Sequence, residues 1–328
     1  MTADHRVVLD AFDRHGASPL SFLLHYAAPW RAFVGAGGAV VPYLEAPRAA
    51  VVWSDPLCAP SDAGAALAAF AAAMRAERRG VCAVAVSEET ARAALAAGFS
   101  AFKIGEQPRF DLAMWRQPRG NRGKKLRWAL NHARAAGIEI EEYRPADGRD
   151  ERLDTEIAAV VAGWRAGLDR PEPQSFMRTE PFAAADRKRL FVARRHGRAE
   201  AFLACACLPA ANAWYLEDVV RIPEAVNGAT ELLVVAALRR FAEEGAATAS
   251  FALAPMRRVD RQLDRRSAWL GRILSVAIRG FDRRYGFRAI ARYEERFEPS
   301  EWLPRYILFR PGLPRPAVIR AAVRYLSA

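Results

Sequence analysis

A carboxylate and a guanidinium stand three residues apart, shortly before a turn that contains glycine. Asp218 and Arg221 lie near the end of the strand-like run Trp214 to Val220, and the polar turn that follows contains the pair Asn227-Gly228. Side chains at a strand end that meet the backbone of the next turn are a common arrangement in α/β active sites.

A helix and a second buried strand complete this segment. Thr230 is predicted to cap a helix with apolar periodicity up to Gly245, and Ala249 to Leu253 reads as the next strand. Unpaired amides at such a helix start bind anions or acyl oxygens, so we predict the active centre here. The predicted catalytic side chains are Asp218, Arg221 and Glu231, and the predicted substrate contacts in the turn are Asn227 and Gly228.

The residue types exclude several other chemistries. The five histidines lie outside the segment, and no G-x-S-x-G elbow or phosphate-binding loop exists. No cysteines or histidines have metal-ligand spacing, so no metal is predicted. An acyl transfer between bound partners fits what remains, with an oxyanion site and one carboxylate base. The alternative is an ordinary ion pair between Asp218 and Arg221.

The composition predicts a basic protein with anionic partners. The 328 residues carry a formal net charge of +12, which favours RNA, an anionic lipid surface or phosphorylated substrates. An arginine- and alanine-rich genome is the alternative explanation. Four scattered cysteines indicate a reducing compartment, and neither a signal peptide nor a long apolar run is present. We therefore expect a cytoplasmic protein, with the inner membrane face as a candidate contact.

Two segments concentrate the positive charge. Residues 116–134 contain no acid, and their second part has helical periodicity that exposes Lys124, Lys125 and Arg127. We expect phosphate contacts there, with a solvated helix face as the alternative. The stretch from Arg257 to Arg284 reads as a basic amphipathic helix, which can contact anionic lipid, bind RNA or pack into the core.

The order of the predicted elements indicates an α/β (α+β) fold in two domains, residues 1–115 and 116–328, each with a mixed sheet flanked by helices. In the first domain, two strands are expected around a turn at Gly105-Glu106. Residues 194–199 match the R-x-x-G-x-A pattern of a pyrophosphate loop. Because this match lies between two predicted strands, we interpret it as a hairpin turn.

Taken together, these residues resemble the cytosolic C-terminal domain of phosphatidylglycerol lysyltransferases, also called aminoacyl-phosphatidylglycerol synthases. The order and spacing of the motifs carry the resemblance, from about residue 35 to 310. The matching stretches are Val52 to Pro56, Lys103 to Glu106, Lys124 to Arg127 with Asn131, Tyr215 to Arg221, Asn227 to Leu233, Ala252 to Met256, and Arg296 to Pro299 with Trp302, Arg305 and Tyr306.

The resemblance implies tandem acetyltransferase-like (GNAT) folds. It also implies transfer of an amino acid from aminoacyl-tRNA, without a cofactor, to a hydroxyl or amine acceptor such as an anionic lipid. Asp218 and Arg221 match active-site positions, with Asp218 as base or amine anchor. The basic and aromatic positions expected to meet tRNA, lipid phosphate or other substrate groups are Lys124, Lys125, Arg127, Arg296, Arg305 and Tyr306.

The sequence departs from the family pattern in three places. The membrane-spanning half is absent, Glu294 stands where lysine is common, and a residue is inserted before Trp302. A small-molecule acceptor is therefore an alternative to lipid. Two other functions stay open: an acyl-CoA-dependent N-acyltransferase, and a non-catalytic module that binds RNA or membranes.

Overall fold

The chain folds around one mixed β-sheet with helices on both faces. The structure is a computed structural model that describes residues 2–169, 172, 178–263, 287–312 and 316–327. The helices are α1 (Ala3–His15), α2 (Ala63–Ala76), α3 (Glu88–Ala96), α4 (Lys124–Ala135), α5 (Glu151–Ala166), α6 (Ala229–Glu243), α7 (Phe287–Glu295) and α8 (Pro316–Ser327).

The strands alternate with these helices along most of the chain. They are β1 (Arg31–Val34), β2 (Val40–Ala46), β3 (Ala49–Trp53), β4 (Gly80–Ser87), β5 (Ser100–Asp111), β6 (Glu139–Tyr143), β7 (Lys188–Arg195), β8 (Arg198–Leu208), β9 (Ala213–Arg221), β10 (Thr248–Ser250), β11 (Ala254–Pro255) and β12 (Glu301–Arg310). Their order in the sheet is β1-β2-β3-β4-β12-β5-β10-β9-β8-β7-β6, and β11 also pairs with β5.

Two β-α-β units form the centre of the two halves. In the first, β3 and β4 are parallel and are connected through α2; in the second, β9 and β10 are parallel and are connected through α6. β12 lies between β4 and β5, so the end of the chain completes the sheet of the first half. The domain boundary at residue 115 stays a prediction, because a single sheet runs through both halves.

The two faces of the sheet carry separate cores. On one face, α1, α8 and the 3-10 helix Pro19–His25 share a core with strands of both halves, and α5 packs over β7, β8 and β9. On the other face, α2 and α3 cover the first half, whereas α4 and α6 cover the second. Side chains alternate between these cores along each strand, as the period of a strand requires.

A chain of buried polar groups crosses the sheet through β12. Arg305 is 5% exposed and donates to Gln107 of β5 at 2.9 Å and to Asp55 after β3 at 3.4 Å. Asp55 also accepts two hydrogen bonds from Ser87 at 2.9 Å, and Gln107 donates to Ser250 at 2.7 Å. These contacts connect both halves of the molecule, since buried polar groups need partners.

Three predictions about elements need correction. The expected turn at Gly105 is part of the continuous strand β5, where a Cβ atom on Gly105 would lie 2.3 Å from the Ala254 carbonyl oxygen. Glycine here permits close approach of β11 and makes no turn. Thr230 is not a cap, because α6 begins at Ala229 with Gly228 as its N-cap. The strand expected over Ala249 to Leu253 is only Thr248–Ser250.

The hairpin interpretation of the R-x-x-G-x-A match is confirmed. β7 and β8 are antiparallel and are joined by His196 and Gly197, whose φ angles are 50° and 78°. Two residues with positive φ form the tight turn that suits twisted strands. Because no helix follows this turn, its amides do not form the phosphate site of a pyrophosphate loop.

Gly228 is predicted to be irreplaceable because a side chain there would collide with α4, in addition to straining the backbone. Its φ is 95°, and a Cβ atom there would lie 2.0 Å from the carbonyl oxygen of Ala129 in α4. Gly228→Ala should lower the free energy of unfolding by about 3 kcal/mol or more, since left-handed strain and overpacking add. Urea denaturation measures this loss.

Gly245→Ala is the matched control at the other end of α6. Gly245 has φ 79° but nothing within 4 Å of the added Cβ atom. It should cost only the strain, about 1–2 kcal/mol. Equal losses in the two variants would contradict close packing of α6 against α4.

Candidate active site

The carboxyl ends of the two parallel strands are joined in the first β-α-β unit but not in the second. Pairing between β9 and β10 ends at Tyr215 and Ser250, and β9 continues to Arg221 without β10. In the first unit, Ser87 at the end of β4 donates to Asp55 after β3, which ties the two strand ends together. Ligands of α/β sheets bind beside the carboxyl ends of parallel strands, so the extension of β9 is the candidate site.

A β-bulge within this extension sets the direction of its acidic side chains. Ala204 of β8 pairs with Asp218 and Cys205 pairs with Leu216, which leaves Glu217 as the extra residue. A bulge redirects side chains and interrupts regular alternation, and bulges occur often beside active sites. Here it places two consecutive carboxylates, those of Glu217 and Asp218, at one point of the sheet.

Glu217 is neutralised by an interior network. The Nζ atom of Lys188 lies 2.8 Å from Glu217 Oε2, and the two side chains are 0% and 3% exposed. The Tyr26 hydroxyl donates to Glu217 Oε1, and Lys188 Nζ donates to the same hydroxyl at 2.7 Å. Burial and the carboxylate of Glu217 raise the pKa of Tyr26, so its hydroxyl keeps its proton.

Asp218 is half-buried beside this network and has no hydrogen bond or ion pair among the described residues. Desolvation, together with the neighbouring charge of Glu217, raises its pKa to about 7, while Lys188 acts in the opposite direction. Near neutral pH its carboxyl group therefore exists in both protonation states. A group of this kind can accept and return a proton, or can hold an amine.

The end of α5 and the segment after it lie close enough to influence Asp218. Arg165 donates to Glu172 at 3.0 Å and to the Thr179 carbonyl oxygen at 2.9 Å. The Glu172 carboxylate raises the pKa of Asp218 and the Arg165 guanidinium lowers it. This ion pair therefore forms one side of the surroundings of Asp218.

Arg221 and Asp218 lie on opposite faces of the sheet, which corrects the expectation that they face the turn together. Asp218 pairs with Ala204, part of the core under α5, whereas Arg221 pairs with Ala201, part of the core under α6. Residues three apart on a strand alternate in direction. Arg221 is exposed and donates to the Ala225 carbonyl oxygen at 3.4 Å, and no ion pair with Asp218 occurs in the described part of the chain.

The turn before α6 is held by a side chain of β8. Glu200 accepts a hydrogen bond from the Val226 amide at 3.1 Å, and its carbonyl accepts one from the Ile222 amide at 2.9 Å. Asn227 is exposed and Gly228 is buried against α4. Among the described residues, the amides of Thr230 and Glu231 have no hydrogen-bond acceptor, so the helix start can bind an anion or a carbonyl oxygen.

Glu231 is committed to an ion pair within the protein. It is buried in the first turn of α6, and its carboxylate pairs with Arg296, whose side chain is 44% exposed, and accepts from the Thr230 hydroxyl at 2.9 Å. Its predicted catalytic role stays a prediction, but α6 and Asp218 lie on opposite sides of the sheet. Arg296 keeps an exposed edge that can meet a phosphate.

Arg305 and Tyr306 are buried, and their expected substrate contacts stay predictions. Arg305 has the internal partners described above, and Tyr306 is 3% exposed in the core under α2 and α3. Burial raises the pKa of Tyr306 to about 12. These two positions of the end block therefore contribute to the stability of the sheet.

The two predicted basic segments differ in how much of each the structure describes and in how exposed their side chains are. Lys124 and Lys125 are exposed, while Arg127 donates to the carbonyl oxygens of Pro118 and Gly120 at 3.4 and 2.8 Å. Most of the stretch from Arg257 to Arg284 lies outside the described residues. Arg257 itself pairs with Glu106 at 3.0 Å, and Glu106 also accepts from Lys103 at 2.6 Å.

Sequence reasoning missed Lys188, Tyr26 and Glu200. Lys188 and Glu200 are charged residues at the starts of apolar strands, a pattern that signals a buried partner. Tyr26 gives no such signal, because its contact with Glu217 spans 191 residues of sequence. Only the folded sheet brings these groups together.

The described residues contain one further cavity and no metal-binding group. A cavity of about 230 Å³ lies at the start of β9, beside Arg189, Trp214 and Glu244, where Arg189 already pairs with Glu244 at 2.5 Å. Among the described residues, no group of carboxylates, histidines and cysteines could hold a metal ion. In the same part of the chain, no helix is long and apolar enough to span a membrane.

Comparison with known proteins gives a family and a fold. The family model described as phosphatidylglycerol lysyltransferase, C-terminal, matches residues 11–309. The solved C-terminal domain of a lysylphosphatidylglycerol synthetase from Agrobacterium fabrum has 21% identity and a TM-score of 0.77, and covers 98% of this chain and 94% of its own. L-PGS from Bacillus licheniformis has 17% identity and a TM-score of 0.77, with coverages of 98% and 96%.

A more distant similarity extends to FemX, with 12% identity, a TM-score of 0.53, and coverages of 99% of this chain and 98% of that chain. No curated protein sequence matches the chain significantly. At these identities each solved structure shows the fold alone. The predicted α/β class, with a mixed sheet flanked by helices, is confirmed.

The buried pair beside Asp218 makes a prediction about stability. Lys188→Met should lower the free energy of unfolding by about 3–5 kcal/mol, because Glu217 would stay buried without its counter-charge. Chemical denaturation checks this value. Adding Glu217→Gln to Lys188→Met should recover part of the loss.

Lys125→Met is the control for removing a lysine. Because Lys125 is exposed on α4, its replacement should change stability by no more than about 0.5 kcal/mol. If Lys188→Met were as mild as this control, the network would not hold the bulge.

Proposed function

Because the chain belongs to the phosphatidylglycerol lysyltransferase C-terminal family, we propose that it moves an aminoacyl group from aminoacyl-tRNA to a hydroxyl group of an anionic glycerolipid. Family membership makes the protein an acyltransferase of the aminoacyl-transferring type. We propose the donor, the lipid acceptor and the residues that act on them.

The proposed reaction exchanges one ester for another. The acceptor oxygen forms a bond to the aminoacyl carbonyl carbon, and the bond from that carbon to the ribose oxygen of the tRNA breaks. One proton leaves the acceptor hydroxyl, and one proton is taken up by the ribose oxygen. Since the donor ester is already activated, the reaction needs neither a covalent nucleophile nor a cofactor.

The observation that carries the proposal is the isolation of Asp218. Glu217 beside it is fully engaged with Lys188 and Tyr26, whereas Asp218 has no partner among the described residues and a pKa near 7. A carboxylate with this pKa can take the acceptor proton and return it to the leaving oxygen at neutral pH. As an anion it also attracts the amine of the aminoacyl group.

The opposite side of β9 supplies positive potential. Arg221 is exposed near the turn, and the amides of Thr230 and Glu231 at the start of α6 are free within the described structure. These groups support binding of a substrate phosphate on that side of the sheet. Holding both substrates in register can lower the barrier by up to about 7–11 kcal/mol.

Replacement of Asp218 tests the proposal. Asp218→Asn should lower turnover at least about 100-fold, because the amide cannot accept the proton. In the wild type, the rate should rise with pH as Asp218 loses its proton, with a midpoint near 7 and a plateau above it. Transfer of labelled amino acid from charged tRNA to phosphatidylglycerol vesicles measures both effects.

Asp147→Asn provides the control, because Asp147 is an exposed carboxylate on the surface. It should leave rate and pH profile unchanged, and a melting curve should show that the Asp218 variant is folded. An unchanged rate in Asp218→Asn would remove this residue from the mechanism. If no charged tRNA donates an amino acid to vesicles or to small hydroxyl acceptors, while acyl-CoA does donate, the donor assignment is wrong.

A further inference from the structure

The loop before α4 and the exposed face of α4 carry cations that have no carboxylate partner. The set consists of Arg116, Arg119, Arg122, Lys124, Lys125 and Arg134, and in the described structure none of them forms an ion pair. Some arginines elsewhere do form ion pairs, as Arg152, Arg189 and Arg194 do with glutamates. These cations, close together in the loop and on α4, give the surface a concentrated positive charge.

The positions of Lys124 and Lys125 disfavour the helix that carries them. Both lie in the first turn of α4, which has no acidic residue and no side-chain cap. Positive charge at a helix start opposes the helix dipole and costs stability. An anionic ligand would reverse this effect, because the lysines would then bind it at the positive end of the helix dipole.

The loop is fixed against α4. Arg127 donates to the carbonyl oxygens of Pro118 and Gly120, and a Cβ atom on Gly123 would lie 2.2 Å from the Pro118 oxygen. These contacts keep Arg119 and Arg122 beside the first turn of α4. The cations thus form one preorganised surface.

An exposed aromatic pair stands within this surface. Trp128 is 60% exposed and stacks on His132, with ring centroids 5.1 Å apart and planes inclined by 9°. Lys124 and Lys125 precede Trp128 by four and three residues, so they are its neighbours on the helix. The imidazole covers one face of the indole, and the other face is available to a planar group.

We propose that Lys124, Lys125, Trp128 and His132, with the loop cations, bind RNA, and that an unpaired base stacks on Trp128. The inference rests on the proposed function, since aminoacyl-tRNA would be the RNA bound. Aromatic rings between phosphate-binding cations are the usual platform for unpaired nucleotides. A membrane fits less well, because the apolar face of α4, with Leu126 and Leu130, is buried in the core.

Binding of labelled RNA, without transfer, tests the stacking contact. The probes are uncharged tRNA, a minihelix with a single-stranded 3′ overhang, and the same duplex with a blunt end. Trp128→Ala should weaken binding of the first two by about 10-fold, within the range for loss of one base stack, and should leave the blunt duplex unchanged. Trp128→Phe should stay within about 3-fold of the wild type.

Lys124→Ala combined with Lys125→Ala tests the phosphate contacts separately. This variant should weaken all three RNAs and reduce the slope of log affinity against log salt by about 2. Unchanged affinity of Trp128→Ala for every RNA would overturn the proposal. So would a loss of anionic vesicle flotation in Trp128→Ala while RNA binding is retained.

The two proposals fail in distinguishable ways. If RNA binding depends on Trp128 but no aminoacyl group is transferred from any charged tRNA, the RNA-binding surface is supported and the proposed function is contradicted. If the Trp128→Ala variant transfers the aminoacyl group with unchanged KM for aminoacyl-tRNA and unchanged RNA affinity, the RNA-binding surface is contradicted and the proposed function is supported.

Discussion

The buried ion pair between Lys188 and Glu217 is the interaction on which the candidate site depends. Two adjacent carboxylates at a bulge would repel each other and resist burial. Lys188 and Tyr26 neutralise one of them, so Glu217 becomes part of the interior. The second carboxylate, Asp218, keeps a raised pKa and has no hydrogen-bond partner among the described residues, and both are properties of a proton acceptor.

The surrounding sheet explains why an unpaired carboxylate occurs at the strand end of the second β-α-β unit and not of the first. In the first unit, Asp55 joins the ends of β3 and β4 through Ser87 and also accepts from Arg305 of β12. In the second unit β9 extends past β10, and nothing equivalent ties Asp218 to its neighbours in the described structure. The same topology therefore supports a structural role in one half and, under the proposed function, a chemical role in the other.

Local patterns in the sequence predicted the central β-loop-α-β unit, the α4 helix and the hairpin at His196-Gly197, because these depend on short-range periodicity and turn chemistry. The directions of the site side chains could not be predicted in the same way. The bulge at Glu217 is visible only in the register with β8, and the Tyr26 and Lys188 contacts are long-range. Glycine at position 105 suggests a turn in the sequence. The contact with Ala254 that requires glycine there forms only by tertiary packing.

The protonation of Asp218 is the property that tests the account most directly. Carbon-13 NMR titration of carboxyl-labelled aspartate, with Asp218→Asn used to assign the signal, measures its pKa in the folded protein. A midpoint near 7 is expected. A midpoint near the ordinary value of about 4 would show a solvated surface carboxylate and would contradict the proposed role.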